Sequence, residues 1–225
     1  MSQRAEFTFE GPKGPLSAIL DLPEDPSAVF ALAHGPGADN NHRLFESNVP
    51  RLLGRSIGVF RYQFPYTEAG KRGPDRAPTL QASVRAALET LEDRVADLPI
   101  VAGGKSMGGR MTSLEAAAAP LPSRVRGVAF LGFPLHAAGK PATSRGEHLS
   151  EFDLPLLFVQ GTRDKLADLD LLKPIVEGLG ERATLHIVES GDHSFHVLKR
   201  SGRTDDEALD EVADAVASWV DGLSL

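Results

Sequence analysis

Gly103-Gly104-Lys105-Ser106-Met107-Gly108-Gly109 is the stretch that decides how this chain folds. It begins where the apolar segment 100–102 ends, and the apolar residues after it recur at helical spacing as far as Pro120. A buried strand therefore leads through a glycine-rich turn directly into a helix, as in sheets whose parallel strands are joined by helices. Such a turn lies at the carboxyl edge of the sheet, where ligand sites of these folds occur.

The same alternation of strands and helices continues through the 225 residues. Two short strands flank the turn at 11–15, and buried strands then alternate with amphipathic helices. The last helix begins with Thr204-Asp205-Asp206-Glu207, which has the form of a capping box. These patterns predict an α/β fold of three layers, with a mostly parallel central sheet, in a single domain covering residues 1–225.

Composition narrows the class of protein. Lys and Arg number 24 and Asp and Glu 31, so the formal net charge of −7 excludes nucleic-acid binding through overall charge. The absence of cysteine excludes disulfides, thiol nucleophiles and thiolate metal sites. No apolar run approaches the ~18 residues of a membrane helix, and no signal segment is recognisable. We expect a cytoplasmic protein that binds neither nucleic acid nor membranes; its oligomeric state is not predicted.

The segment 104–108 fits Gly-x-Ser-x-Gly, a pattern that presents a nucleophilic serine between a strand and a helix. Side chains two residues before and two residues after the serine would collide with neighbouring structure, so both positions are glycine. The helix N-terminus favours negative charge, and the Met107 N–H would bind the oxyanion formed when Ser106 attacks a carbonyl. The alternative is a glycine-rich turn in which Ser106 is an ordinary helix cap.

Two nucleotide-binding patterns use similar residues and do not fit. A phosphate-binding P-loop needs a further glycine five residues before Gly104, where this chain has Pro99. In a dinucleotide-binding fingerprint, Lys105 would replace the second glycine. The pattern therefore favours a nucleophilic serine over a phosphate site.

A serine hydroxyl needs a base to take its proton, and the base needs an orienting acid. After a nucleophile at a strand–helix turn, the acid and then the histidine follow in chain order. Asp164 follows a late strand and His193 follows the last one, so we predict Ser106, Asp164 and His193 as catalytic residues. Asp164 could instead serve a turn, and His196 is a second histidine in the same loop. No metal is predicted at His193 and His196, because no complementary ligands accompany them.

The early segment His34-Gly35-Pro36-Gly37 should supply a second oxyanion donor. Pro36 has no N–H, so the donor is the amide of Gly37 or Ala38, or the oxyanion hole is incomplete. His34 precedes Ser106 and so fits the order of the base poorly. We expect it to brace this loop through hydrogen bonds.

Several segments together resemble a known family. They are 33–37, 61–66, 103–110, 160–164 and 191–195. The chain resembles small α/β-hydrolases of the dienelactone-hydrolase-like kind. More narrowly, it is similar to short bacterial hydrolases related to the hydrolase-like domain of a chromatin acetyltransferase regulatory subunit and to a testis-expressed protein. The resemblance implies an α/β-hydrolase sandwich and the same Ser106, Asp164 and His193. Relatives usually carry a residue with an N–H where this chain has Pro36.

The chain is short for this fold, so we expect no full cap domain. The candidate lid segments are residues 132–153 and, second, residues 64–78. The candidates for lining the substrate site are Lys105, Phe64, Tyr66, Phe133 and His196. Core packing is the alternative for the aromatic residues. Cations near the rim would favour anionic esters; they are Lys105, Lys140, Arg145 and Arg163. Arg110 is expected to pair with Asp75.

These residues predict a cofactor-free serine hydrolase that cleaves small carboxylic esters, lactones or thioesters through an acyl-enzyme on Ser106. Its partner is then a small-molecule ester. The alternative, motivated by Pro36, is a non-catalytic binding or scaffold protein on the same fold. A transferase or perhydrolase using the same residues is a third option.

Overall fold

The computed structural model describes residues 2–95 and 97–223, and a single eight-stranded sheet forms its centre. The elements in chain order are β1 (Gln3–Gly11), β2 (Gly14–Leu22), β3 (Ala28–Ala33), α1 (Arg43–Leu53), β4 (Ile57–Tyr62), α2 (Pro65–Glu68), α3 (Ala77–Arg94), β5 (Ile100–Lys105), α4 (Met107–Ala118), β6 (Val125–Leu131), β7 (Leu156–Gly161), α5 (Leu169–Gly178), β8 (Ala183–Val188) and α6 (Asp205–Asp221). Residues 1 and 225, the expected limits of the domain, lie outside the described residues.

The strand order is β1-β2-β4-β3-β5-β6-β7-β8. Strand β2 pairs antiparallel with β1 on one side and with β4 on the other, whereas the strands from β3 to β8 all run parallel to one another. The chain places β4 on one side of β3 and β5 on the other, so the direction of strand addition reverses at β3. A crevice opens at the carboxyl ends of the strands at such a reversal. The predicted mostly parallel sheet is confirmed.

Helices cover both faces of this sheet. Apolar residues of α1 and α6 share a buried cluster with one face. Those of α3, α4 and α5 pack on the other face in two further clusters. The strands β3, β4, β5 and β7 are buried along their whole length, as expected for parallel strands covered on both sides. The three-layer α/β sandwich is confirmed.

The capping box of α6 is also confirmed. Thr204 Oγ1 accepts a hydrogen bond from the Glu207 N–H at 3.2 Å, and Glu207 Oε2 accepts one from the Thr204 N–H at 2.7 Å.

Of the helices in the described part of the chain, none has an apolar stretch long enough to cross a membrane.

The segment 132–153, the expected lid material, packs onto the body of the protein. Its Leu135 and Leu149 are fully buried, and a 3₁₀ turn at Ser144–Ser150 lies against α4. There His148 Nε2 lies 2.8 Å from the hydroxyl of Ser113. Burial lowers the pKa of His148 to about 4, so the ring is neutral at physiological pH. The segment is therefore part of the sandwich and not a cap.

The stretch 64–78, the other expected lid material, contains one helical turn, α2, in which Pro65 and Tyr66 are buried. One local expectation needs correction. The expected ion pair between Arg110 and Asp75 is wrong, because Asp75 Oδ1 pairs with Lys13 Nζ at 2.6 Å.

Arg61 in β4 is a fully buried charge that joins three parts of the fold. Its Nη2 donates to Asp21 Oδ2 of β2 at 2.8 Å. Its Nη1 donates to Glu46 Oε1 of α1 at 2.5 Å and to the main-chain oxygen of Asn40 at 2.9 Å. Asp21 is itself buried, and Arg61 is its hydrogen-bonded cation; the half-exposed Arg4 lies farther off, with Nε 3.9 Å from Asp21 Oδ1.

We expect Arg61→Ala to lower the free energy of unfolding by about 3–5 kcal/mol, because it removes the buried hydrogen-bonded cation of Asp21 and leaves only the half-exposed Arg4 at 3.9 Å. Urea denaturation of both proteins at neutral pH measures this difference. Arg51→Ala is the control, since Arg51 pairs with Asp206 and Asp210, which are largely exposed, and should cost no more than about 1 kcal/mol. Equal losses in the two variants would contradict the role given to Arg61.

Candidate active site

Ser106 lies at the sharp turn between β5 and α4. Its backbone has φ 54° and ψ −119°, a conformation that residues with a side chain rarely adopt. A Cβ added at Gly104 would come within 2.2 Å of the Ala33 carbonyl oxygen, and one at Gly108 within 2.3 Å of that same oxygen. The predicted collision at both glycines is confirmed, and the turn is pressed against the end of β3.

The structure brings Ser106, Asp164 and His193 together at the carboxyl edge of the sheet. His193 Nε2 lies 2.8 Å from Ser106 Oγ, and its Nδ1 lies 2.6 Å from Asp164 Oδ2. The Asp164 side chain is wholly buried, whereas about a quarter of the His193 side chain is exposed. The ring therefore links a buried carboxylate to a hydroxyl at the edge of the sheet.

Three donors fix the carboxylate of Asp164. Its Oδ1 accepts from the Leu166 N–H at 2.8 Å, and its Oδ2 accepts from Gln160 Nε2 as well as from His193. Gln160 Oε1 in turn accepts from the Phe133 N–H at 2.9 Å, which sets the orientation of the amide. Gln160 was not predicted as a site residue. The signal for it is a fully buried polar residue in the apolar strand β7.

The loops after β7 and β8 are locked to each other. A Cβ at Gly161 would come within 2.2 Å of the Gly191 carbonyl oxygen, and that oxygen accepts from the Arg163 N–H at 2.8 Å. The Ser190 N–H donates back to Thr162 Oγ1 at 2.8 Å. The distance between the loop of Asp164 and the loop of His193 is therefore set by main-chain contacts.

The loop after β3 lies beside the serine. A Cβ at Gly35 would be 3.3 Å from Ser106 Cβ. The Ala38 N–H donates to the Gly35 carbonyl at 3.3 Å, and Gly37 has φ 74°, so Pro36 and Gly37 occupy the centre of a β-turn. This turn uses the N–H of Ala38, one of the two candidate oxyanion donors, and leaves Gly37 as the other.

His34 braces this loop, as predicted. Its Nε2 accepts from the Phe64 N–H at 3.2 Å, so the proton is on Nδ1, which lies 3.0 Å from the Gly35 carbonyl oxygen and donates to it. Complete burial lowers the pKa of His34 to about 4. The neutral ring therefore keeps this pair of bonds throughout the physiological range.

The residues predicted to line the substrate site lie mostly elsewhere. Phe64 and Phe133 pack in the core, and the buried Tyr66 donates its hydroxyl to the Gly35 carbonyl at 3.3 Å. His196 is exposed and turned toward Asp205 of α6, with Nδ1 2.7 Å from Oδ2. In the described parts of the chain, no three side chains of metal-ligating type converge.

Lys105 departs most from its predicted position. It was expected at the rim, yet its relative exposure is only 7%. The strand β5 continues through Lys105, and the side chain is directed into the protein rather than along the surface.

Solved structures with the same fold include three hydrolases. A serine hydrolase without lid from Xanthomonas campestris has 22% identity and a TM-score of 0.73, covering 99% of this chain and 96% of that chain. A dienelactone hydrolase from Anabaena variabilis has 18% identity and a TM-score of 0.77, covering 99% and 98%. An esterase domain from Rhodothermus marinus has 19% identity and a TM-score of 0.71, covering 98% and 99%.

At these identities the likeness establishes the fold alone. The family is established by the sequence itself. Residues 26–221 match the model of the alpha/beta hydrolase domain family, and because they make up most of the chain, the protein belongs to that family.

Proposed function

We propose that the protein is a serine hydrolase that cleaves small carboxylic esters, lactones or thioesters without a cofactor. The observation that carries this proposal is the hydrogen-bonded series from Ser106 Oγ through both ring nitrogens of His193 to Asp164 Oδ2, at 2.8 and 2.6 Å. Membership of the alpha/beta hydrolase domain family supports hydrolysis as the type of reaction.

In the first step, Ser106 Oγ attacks the substrate carbonyl and His193 Nε2 takes the hydroxyl proton. Asp164 stabilises the imidazolium through Nδ1–H and holds the ring in the required orientation. The same proton then passes from Nε2 to the leaving alcohol or thiol as its bond to the carbonyl carbon breaks. An ester of the substrate acyl group with Ser106 remains.

In the second step, water attacks this ester while His193 takes one of its protons. The proton returns to Ser106 Oγ, and the carboxylic acid is released. We assign oxyanion binding in both steps to the N–H groups of Met107 and Gly37. Met107 is the first residue of α4, where an N–H has no acceptor within the helix, and Gly37 keeps its N–H although Pro36 has none.

The first prediction concerns an activated serine. A fluorophosphonate probe should label the wild-type protein, fail to label Ser106→Ala, and label His193→Ala at least ~100-fold more slowly, because a general base contributes about that much. Gel fluorescence or intact-protein mass spectrometry measures the labelling rate.

Ser113→Ala is the matched control, because Ser113 also lies 2.8 Å from a histidine, His148. That pair is buried between α4 and the 3₁₀ turn at Ser144–Ser150, and we expect labelling to be unchanged in the variant. If a well-folded wild-type protein is not labelled at all, the hydrolase proposal is wrong, and the result favours a non-catalytic binding or scaffold protein.

Two neighbouring arginines, Arg110 and Arg145, support a preference for anionic substrates. Arg110 lies one helical turn after Ser106, and its N–H donates to the Ser106 carbonyl at 3.1 Å. Burial, with a smaller effect from the nearby charge of Arg145, lowers the pKa of Arg110. Among the described residues, Arg110 Nε is buried without a hydrogen-bond partner and Arg145 Nη1 donates to the Pro134 carbonyl at 3.3 Å, so both guanidinium groups keep N–H groups for a negatively charged substrate.

We expect the 4-nitrophenyl hemiester of glutaric acid to be cleaved with a kcat/KM ~10-fold above that of 4-nitrophenyl pentanoate, a difference of about 1.4 kcal/mol. Added salt should reduce the ratio, because exposed charges are screened. Arg145→Gln should bring the ratio close to one. Equal kcat/KM values for both esters in the wild-type protein, with no effect of salt, would exclude this preference.

A further inference from the structure

Lys105 is a buried amine for which the proposed reaction has no use. It is the last residue of β5 and directly precedes Ser106, yet it is almost completely shielded from solvent. Its Nζ is buried, and none of the residues that the structure describes accepts a hydrogen bond from it. A lysine in this position loses its hydration and gains no hydrogen bond in return, which lowers the stability of the folded protein. Such a cost suggests a functional role for the amine.

The space around Nζ is shared with His193. Gly132, which follows β6, has φ 74° and no side chain to fill the gap. A Cβ built on it would lie 2.9 Å from Lys105 Nζ and 3.2 Å from His193 Nδ1, so these two nitrogens are at most about 6 Å apart. The amine therefore lies near the ring nitrogen of His193 that is hydrogen-bonded to Asp164.

The other groups facing the amine are few. The ring of Phe195 lies 6.0 Å from Nζ, and the carboxylates of Asp164 and Asp192 act on it electrostatically. Asp192 Oδ1 accepts from the N–H groups of Ser194 and His196 and so shapes the histidine loop. The charges that bear on this region are therefore Lys105, Asp164, Asp192 and His193 itself.

Burial lowers the pKa of Lys105 to about 7, and the attraction of Asp164 and Asp192 offsets only part of this effect. The amine thus exchanges its proton close to neutral pH, in the range where an ordinary histidine titrates. A positive charge within about 6 Å disfavours a second positive charge, and shifts of about 1–3 pH units are typical of such pairs.

We propose that Lys105 is a positioning residue that acts through His193. Its ammonium group keeps the imidazole neutral at a lower pH than would be possible with Asp164 alone, and only a neutral imidazole can take the serine proton. This inference rests on the proposed function for its role in hydrolysis. The proposed effect of Lys105 on His193 can be measured whether or not an ester is cleaved.

The test replaces Lys105 with methionine, which has a similar length and no charge. Two quantities are measured in parallel: the NMR titration of the His193 ring nitrogens, assigned by their loss in His193→Gln, and the acid limb of kcat/KM for 4-nitrophenyl acetate. Both midpoints should move to higher pH by about one unit, because the repelling charge is gone.

Lys165→Met is the matched control. Lys165 follows Asp164 directly but is exposed, so its charge is screened, and both midpoints should stay within about 0.2 units of the wild type. The proposal is overturned if Lys105→Met moves neither midpoint, or if Lys165→Met moves them equally. A purely structural role for Lys105 would change kcat or stability without shifting either midpoint.

The wild-type protein alone provides a further test. If Lys105 acts on His193 as proposed, the His193 signals record a second step as Lys105 loses its proton, because interacting groups give coupled titrations. A single step overturns the proposal even if Lys105→Met does not fold. If the wild type neither hydrolyses esters nor reacts with the probe, the proposed function fails. The titrations still decide whether Lys105 controls His193.

Discussion

The carbonyl oxygen of Ala33 occupies the space that a side chain at Gly104 or at Gly108 would need. This contact between neighbouring parallel strands presses the β5–α4 turn against the end of β3 and fixes the position of Ser106 between them. The loop that leaves β3 then passes the serine at Gly35, and His34 holds that loop to Phe64. One close approach of two main chains therefore positions both the hydroxyl and the loop beside it.

The other half of the site depends on a second contact of the same kind. Gly161 and Gly191 bring the loops after β7 and β8 together, and their hydrogen bonds hold Asp164 opposite His193. Gln160 extends this arrangement to β6 through the Phe133 N–H. The side chains that make up the site thus sit on three rigid connections, which suits chemistry that depends on sub-ångström placement.

Local patterns were sufficient to predict this framework. The glycines of the elbow and the capping box at Thr204 depend on steric and hydrogen-bonding rules that act within a few residues. The order of Ser106, Asp164 and His193 along the chain was sufficient to select three residues that the fold brings together.

The errors concern where side chains point after an element ends. Lys105 was expected at the rim because the glycine-rich turn was predicted to begin before this residue. In the structure, β5 continues through Lys105 and directs its side chain inward. Phe64 follows β4 and Phe133 follows β6, both at the carboxyl edge of the sheet, but their apolar rings gain more by packing in the core. Such choices depend on the whole packed structure and leave no local pattern.

The positive φ of Ser106 has a consequence for engineering. Holding a residue with a side chain in this conformation costs on the order of 1–3 kcal/mol, whereas glycine adopts it readily. Position 106 is thus a place where thermal stability and the proposed hydrolysis favour different amino acids. A library of variants ranked only by resistance to heat would accumulate glycine there and lose the hydroxyl on which that proposed reaction depends.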